Sequence, residues 1–167
     1  GATLSGAAAP SRSRFESVPL SSADRVTVPP GYSSRVLYAW GDPISDGPAY
    51  RPDASNSADE QRIQAGMHHD GMHYFPFTEG GKPSSTHGLL CINHEYTDDG
   101  LLHSGGMHNW SAEKVAKSKA ATGVSVIEVK KQQDEWQVVR PSSFARRISA
   151  DTPCRLAGPA RAHPSMI

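Results

Sequence analysis

Nowhere in the 167 residues does an apolar run approach the ~18 needed to cross a bilayer as a helix, so a transmembrane role is excluded. Nor is either sign of charge in excess, since seventeen Lys and Arg are matched by seventeen Asp and Glu. Without net charge, and without a basic stripe interleaved with aromatics, the chain has no field to gather nucleic acid, and that class of partner is set aside. Aromatic residues are only 7% of the chain, hydrophobic residues 37%, and the mean hydropathy is −0.52. These values describe one loop-rich globular domain with enough residues to bury a core. What is plentiful is punctuation: 15 Gly and 13 Pro favour many turns and short strands and argue against a helical bundle.

Cysteine is scarce too. Cys91 lies in the apolar run Gly88-Leu-Leu-Cys-Ile-Asn93, which reads as a buried strand, so a packed thiol is expected there. Cys154 sits between Pro153 and Gly158-Pro159 in a rigid loop, a better place for a ligand or reactive thiol. If the chain is exported, a Cys91–Cys154 disulfide is the structural alternative, and the burial expected of Cys91 speaks against it.

The chain begins at Gly1 rather than Met and ends at Ile167 directly after a motif-dense stretch, which leads us to expect a piece of a longer protein. Residues 1–14 read as a disordered leader or as the end of an export signal. Ala7-Ala8-Ala9 has the small-x-small character of a cleavage site, and composition leaves both alternatives open.

From Phe15 onward the text tightens. Val26 and Val28 alternate with polar neighbours, Pro29-Pro30-Gly31 makes a turn, and Tyr32 to Trp40 reads as a second strand. A helical turn is expected near Ala58 to Ala65, a strand from the His-rich segment after Gly66, and a buried strand over Gly88–Asn93. Residues 97–109 read as loop. Ser111 reads as the N-cap of a helix over Glu113 to Ala121. The clearest hairpin pairs Gly123–Val129 with Trp136–Arg140 around a polar turn, and everything from Ser149 on reads as loop. The architecture expected is all-β or β-dominated, a sandwich or propeller with short helical insertions; no internal repeat is visible to choose between them.

Seven of the eight histidines fall between His68 and His108. His68, His69, Asp70 and His73 lie within six positions, and His94-Glu95 directly follows the buried strand. Imidazoles and carboxylates at strand ends are how a β scaffold gathers metal ligands on one rim. His69 and His73 are four apart and share a strand face, but no Glu follows His69, so this is not the metalloprotease pattern. Glu95 is the better candidate, because a carboxylate ending an apolar run needs a cation, a partner or water. Arg155 and Arg161 flank Gly158-Pro159, where guanidinium groups suit a phosphate or carboxylate. Arg146-Arg147 reads as a solvated strand edge and the lysines of 114–119 as an ordinary exposed helix face.

Five strings, taken in order, resemble the N-terminal part of the PhoX family of secreted alkaline phosphatases. They are Asp24-Arg-Val-Thr-Val-Pro-Pro-Gly-Tyr32, Tyr38-Ala-Trp-Gly-Asp-Pro43, Gly66-Met-His-His-Asp-Gly-Met-His73, Asn93-His-Glu-Tyr-Thr97 and Thr152-Pro-Cys-Arg-Leu-Ala-Gly-Pro-Ala160. The match covers residues 15–167. The resemblance implies a six-bladed β-propeller, of which this chain is the N-terminal part, truncated at its C-terminus. It also implies export by the twin-arginine (Tat) route to the periplasm or outside, a role in phosphate acquisition, and a monomer when full length. The implied activity is hydrolysis of small organic phosphate esters at a cluster of Fe³⁺ and Ca²⁺. On the matching strings the resemblance makes Cys154 an iron ligand, Glu95 a cluster carboxylate and Asp70 a further ligand; no catalytic residue is assigned beyond these. Arg161 stands where the family string continues with small residues. A fragment of a propeller, with open strand edges, is expected to fold poorly and be inactive alone. The alternative is a non-catalytic metal-binding propeller of the same superfamily.

Overall fold

The computed structural model describes residues 16–166, so the leader expected over residues 1–14 lies outside the described residues. The chain divides into two compact units, one up to Val36 and one from Leu37 onward.

In the first unit Pro29-Pro30-Gly31 turns as expected, with the Tyr32 N–H donating to the Pro29 carbonyl at 3.1 Å and Gly31 at φ +83°. The strands expected on either side are not formed. Val26 and Val36 are 75% and 77% exposed, and no ladder includes them. Alternation prepares a strand, but only a neighbour's ladder bonds make one. The strand expected over Tyr32–Trp40 fails in the second unit as well, where residues 37–40 are irregular and Tyr38 is buried.

The second unit is mostly antiparallel sheet with short helices. Helix α1 (Ala58–Gln61) starts at a capping box in which Ser57 and Glu60 satisfy each other's backbone N–H. Strands β1 (His69–Glu79) and β2 (Lys82–His94) form a hairpin around Gly80-Gly81, both at positive φ. β2 is longer than expected because the polar residues 82–87 extend the ladder that the apolar run begins. A single turn, α2 (Asp99–Leu102), interrupts the segment expected to be loop, capped by Asp98. Helix α3 (Ala112–Ala121) is capped by Ser111 as its sequence predicts. The expected hairpin then appears as β3 (Gly123–Gln132) and β4 (Glu135–Val138), turning at Gln133-Asp134. After β5 (Arg146–Ile148), two short 3-10 turns (Pro159–Ala162 and Pro164–Met166) punctuate the expected loop.

The sheet runs β1-β2-β3-β4, and β5 also pairs with β3, so β4 and β5 succeed one another along one edge of β3. It is an open sheet, not a closed one. Its core gathers Ile92, Ile127 and Val129 under Tyr38, Ile44 and Ala65, and a smaller cluster joins Met67, Leu102 and Ala121. No helix among the described residues is long and apolar enough to cross a membrane.

Two expectations about charge are corrected. Lys117 does not lie on an exposed face: it is 4% exposed, and its ammonium donates to the Ala54 carbonyl at 2.7 Å. Arg147 turns inward from β5 instead of lining a solvated edge. In both cases backbone carbonyls stranded nearby accept the cation's hydrogen bonds, a non-local opportunity that a local reading misses. Both cysteines are free, so the alternative disulfide is not formed; Cys91 is half-buried and Cys154 exposed.

Candidate functional site

Strand register brings several chain ends to one rim of the sheet. His69 at the start of β1 pairs with His94 at the end of β2, and His94 pairs with Gly123 at the start of β3. One residue on, Val124 pairs with Ile148, the end of β5. This rim is tightly built. A Cβ on Gly123 would stand 2.0 Å from the Ile148 carbonyl oxygen, and one on Gly66 would meet the Ala121 carbonyl oxygen at 2.3 Å and the His94 ring at 2.6 Å. Only glycine permits backbones to approach so closely.

The sequence-predicted donors follow from this rim. Asp70 is the second residue of β1 and exposed. Glu95 leaves β2 directly after His94; its N–H donates to the His68 carbonyl at 3.1 Å while its side chain is exposed. The structure therefore brings Asp70 and Glu95 to the same end of the β1–β2 pair. Cys154 comes off β5 six residues past Ile148, in a loop tied back to the helices. Asp151 accepts from Lys119 of α3, and from Arg62 at the end of α1 at 3.2 Å, and the Ala150 N–H donates to the Lys119 carbonyl. These two basic groups hold the Asp151 carboxyl below its ordinary range, Lys119 more strongly. None of the three donors has an ion pair among the described residues, nor do three or more His, Cys, Asp or Glu side chains converge there on one point.

The dense histidines do not act as one cluster. His87 bridges Glu79 and Glu128, at 3.1 and 2.7 Å. His103 is buried against Ser118 and Asp99. His73 packs against Phe75 with the rings tilted. His68, at φ +48°, stacks on Tyr96 with ring centroids 3.8 Å apart, bracketing the Asp70–Glu95 rim.

His69 and His94 instead enter a buried polar group beneath the rim. Their rings meet edge to face at 4.8 Å, and His69 also stacks on Tyr38. His94 Nε2 lies 2.6 Å from the hydroxyl of Ser125, a fully buried residue of β3. Tyr38 donates to that hydroxyl oxygen at 3.2 Å and Arg147 at 3.4 Å. With both lone pairs taken, the Ser125 hydrogen is left for His94 Nε2, which accepts it; the His94 proton then resides on Nδ1. Burial, with help from Arg147, pushes His94 down to about 3, so the ring is neutral at ordinary pH. Burial also drives Tyr38 up to about 12 and Arg147 down to about 10. Sequence reasoning missed Tyr38, Ser125 and Arg147. The one local signal was a serine inside the apolar run Val124-Ser-Val-Ile127.

A cavity of about 410 Å³ lined by Ala54, Ser57, His103, Ser111, Glu113 and Lys117 contains none of the three donors.

The family model for alkaline phosphatase PhoX matches residues 13–166. Among solved structures, Pseudomonas fluorescens PhoX in complex with vanadate, a transition state analogue, is similar with a TM-score of 0.85 and 40% sequence identity over 91% of this chain. The match covers 26% of that protein, so this chain spans about a quarter of its length. No curated protein matches the chain.

Proposed function

The chain belongs to the PhoX family of alkaline phosphatases, and from that premise we propose that the full-length protein hydrolyses small organic phosphate monoesters, with Asp70, Glu95 and Cys154 of this chain as metal ligands. The observation that carries the reading is the shared rim: Asp70 and Glu95 stand exposed, without an ion pair among the described residues, at the end of one strand pair, and the strand leading to Cys154 ends at the same rim.

The donor chemistry fits Fe³⁺ and Ca²⁺. Carboxylates suit a hard cation such as Ca²⁺, a thiolate suits iron, and all three side chains are accessible without first breaking an ion pair. When bound, such ions supply Lewis-acid neutralisation of charge on the phosphoryl oxygens and the attacking water. This chain's own part is to hold two carboxylates and a thiolate in place. Glu95 and Asp70 contribute negative charge that offsets the cations, and Pro153 stiffens the loop that presents Cys154. No three donors meet among the described residues, so the remaining ligands come from elsewhere in the protein. An open sheet with free edges is one blade's worth of a six-bladed propeller, whose other blades supply them. Export to the periplasm or beyond belongs to the same reading and rests on the family likeness.

The test is metal analysis of the full-length protein beside Cys154→Ser, with p-nitrophenyl phosphate as substrate. Iron and activity present in the parent and both lost in the variant are expected. A metal-free parent, or iron retained without Cys154, would overturn the assignment in favour of a binding protein on the same scaffold.

A further inference from the structure

We infer that Ser125 is a positioning residue for the proposed metal centre, its buried hydroxyl joining β2 and β5, the strands that lead to Glu95 and Cys154, and reaching the Asp70 strand only through the rings of Tyr38 and His94 packed on His69. The inference rests on the functional reading above.

The geometry is specific. His94 precedes Glu95, and the Ser125 hydroxyl donates to its ring at 2.6 Å. Arg147 lies on β5, the strand that leads to Cys154; one guanidinium nitrogen donates to Ser125 while another donates to the Thr122 carbonyl at 3.1 Å and to the Ala120 carbonyl. His69 precedes Asp70, and its ring packs on both Tyr38 and His94, the first of which donates to Ser125 at 3.2 Å. One oxygen thus takes two hydrogen bonds and gives one, with no capacity to spare.

The arrangement is also too polar to be explained as packing. Arg147 forms no ion pair among the described residues, and its Nε, together with His69 Nε2, is buried there without a hydrogen-bond partner. Burying such groups costs stability compared with an apolar core. Ser125 itself is 0% exposed between Val124 and Val126, where an apolar residue would serve the sheet equally well. The cost is sensible if the hydroxyl fixes orientation. Partners bonded directly to metal ligands typically carry ten- to a hundredfold in metal affinity or activity, and Ser125 acts one residue further out, through His94 on Glu95, so the low end of that range is expected.

The experiment compares the full-length parent protein with Ser125→Ala and Ser125→Thr. Ser125→Ala removes the hydroxyl without adding volume, and Ser125→Thr restores it with one extra methyl. Each is assayed on p-nitrophenyl phosphate well below its unfolding temperature, and its iron and calcium are titrated against EDTA. For Ser125→Ala we expect kcat to fall about tenfold or more with KM within about twofold, and metal to be lost to EDTA at about tenfold lower concentration. Ser125→Thr should recover most of both. Ser125→Ala with kcat and metal retention within about twofold of the parent overturns the inference and leaves the phosphatase reading standing. So does a loss confined to thermal stability, or one that Ser125→Thr fails to recover. A parent protein that holds no metal and hydrolyses nothing overturns the functional reading, and this inference with it.

Discussion

Glu95 and Cys154 are both exposed donors beyond a strand end, yet they are held by different physics. Glu95 is the next residue after a thirteen-residue central strand, its N–H is bonded to the His68 carbonyl, and its predecessor His94 is 1% exposed. Cys154 stands six residues beyond a three-residue edge strand, and besides the Ser149–Thr152 turn and the Ala150 N–H on the Lys119 carbonyl, its loop is restrained by a carboxylate, Asp151, gripped by Lys119 and Arg62. One donor is placed by burial and ladder bonds, which salt does not screen. The other is placed by ion pairs near the surface, which salt and acid do weaken. Of the two proposed ligands, one therefore has a rigid support and the other a yielding one.

The largest effect should come where the two supports meet. Gly123, at φ +107°, lies between the His94 pairing and the end of β5, and a Cβ there has no room. Gly123→Ala should cost the full-length protein roughly 3 kcal/mol or more, by strain and displaced backbone together. Urea unfolding measures it, and a cost under about 1 kcal/mol would mean that the two supports are not in fact wedged together.

The next effect separates the buried support from the surface one by pH. The His94 value is depressed to about 3, so between about pH 6.5 and 3 the unfolded chain binds a proton that the folded chain does not. Stability must then fall as the pH drops through that window, by up to ~1.4 kcal/mol per pH unit from this group. His94→Gln should flatten that slope in urea titrations across the window. An unchanged slope would show that His94 is not held neutral.

The smallest effect concerns the clamp. The Asp151 carboxyl is held below its ordinary value, so its contribution is complete above about pH 4 and disappears only as the pH falls through the depressed value. At neutral pH the lever is salt instead. In chelator-stripped protein, ~1 M salt or Asp151→Asn should speed alkylation of Cys154 about two- to threefold and leave Cys91 unaffected. Equal acceleration at both thiols would point to general loosening, and the contrast between the two supports would collapse.

Much of the fold was legible locally because its cues are short-range. Gly80-Gly81 marks the β1–β2 turn, Ser111 the start of α3, and the run Gly88–Asn93 the second half of β2. The failures share a cause. Val26, Val28 and the segment from Tyr32 have strand-like alternation and find no partner, whereas residues 82–87 look like loop and are drawn into a ladder by β1. Lys117 and Arg147 escape a local reading for the same reason, since the carbonyls that receive them belong to Ala54, Ala120 and Thr122, on other elements of the chain.

What is covalent or local was readable along the chain: where turns and caps fall, the ordered strings that mark the family, and the two carboxylates and one thiol that those strings offer as candidate donors. The folded arrangement added that Asp70 and Glu95 share a rim with the end of β5, that three of the surrounding polar groups are tied to one buried hydroxyl, and that the histidines part into separate tasks. Register and burial depend on residues distant in the chain, and a side chain's neighbours across a sheet cannot be read from its neighbours along it.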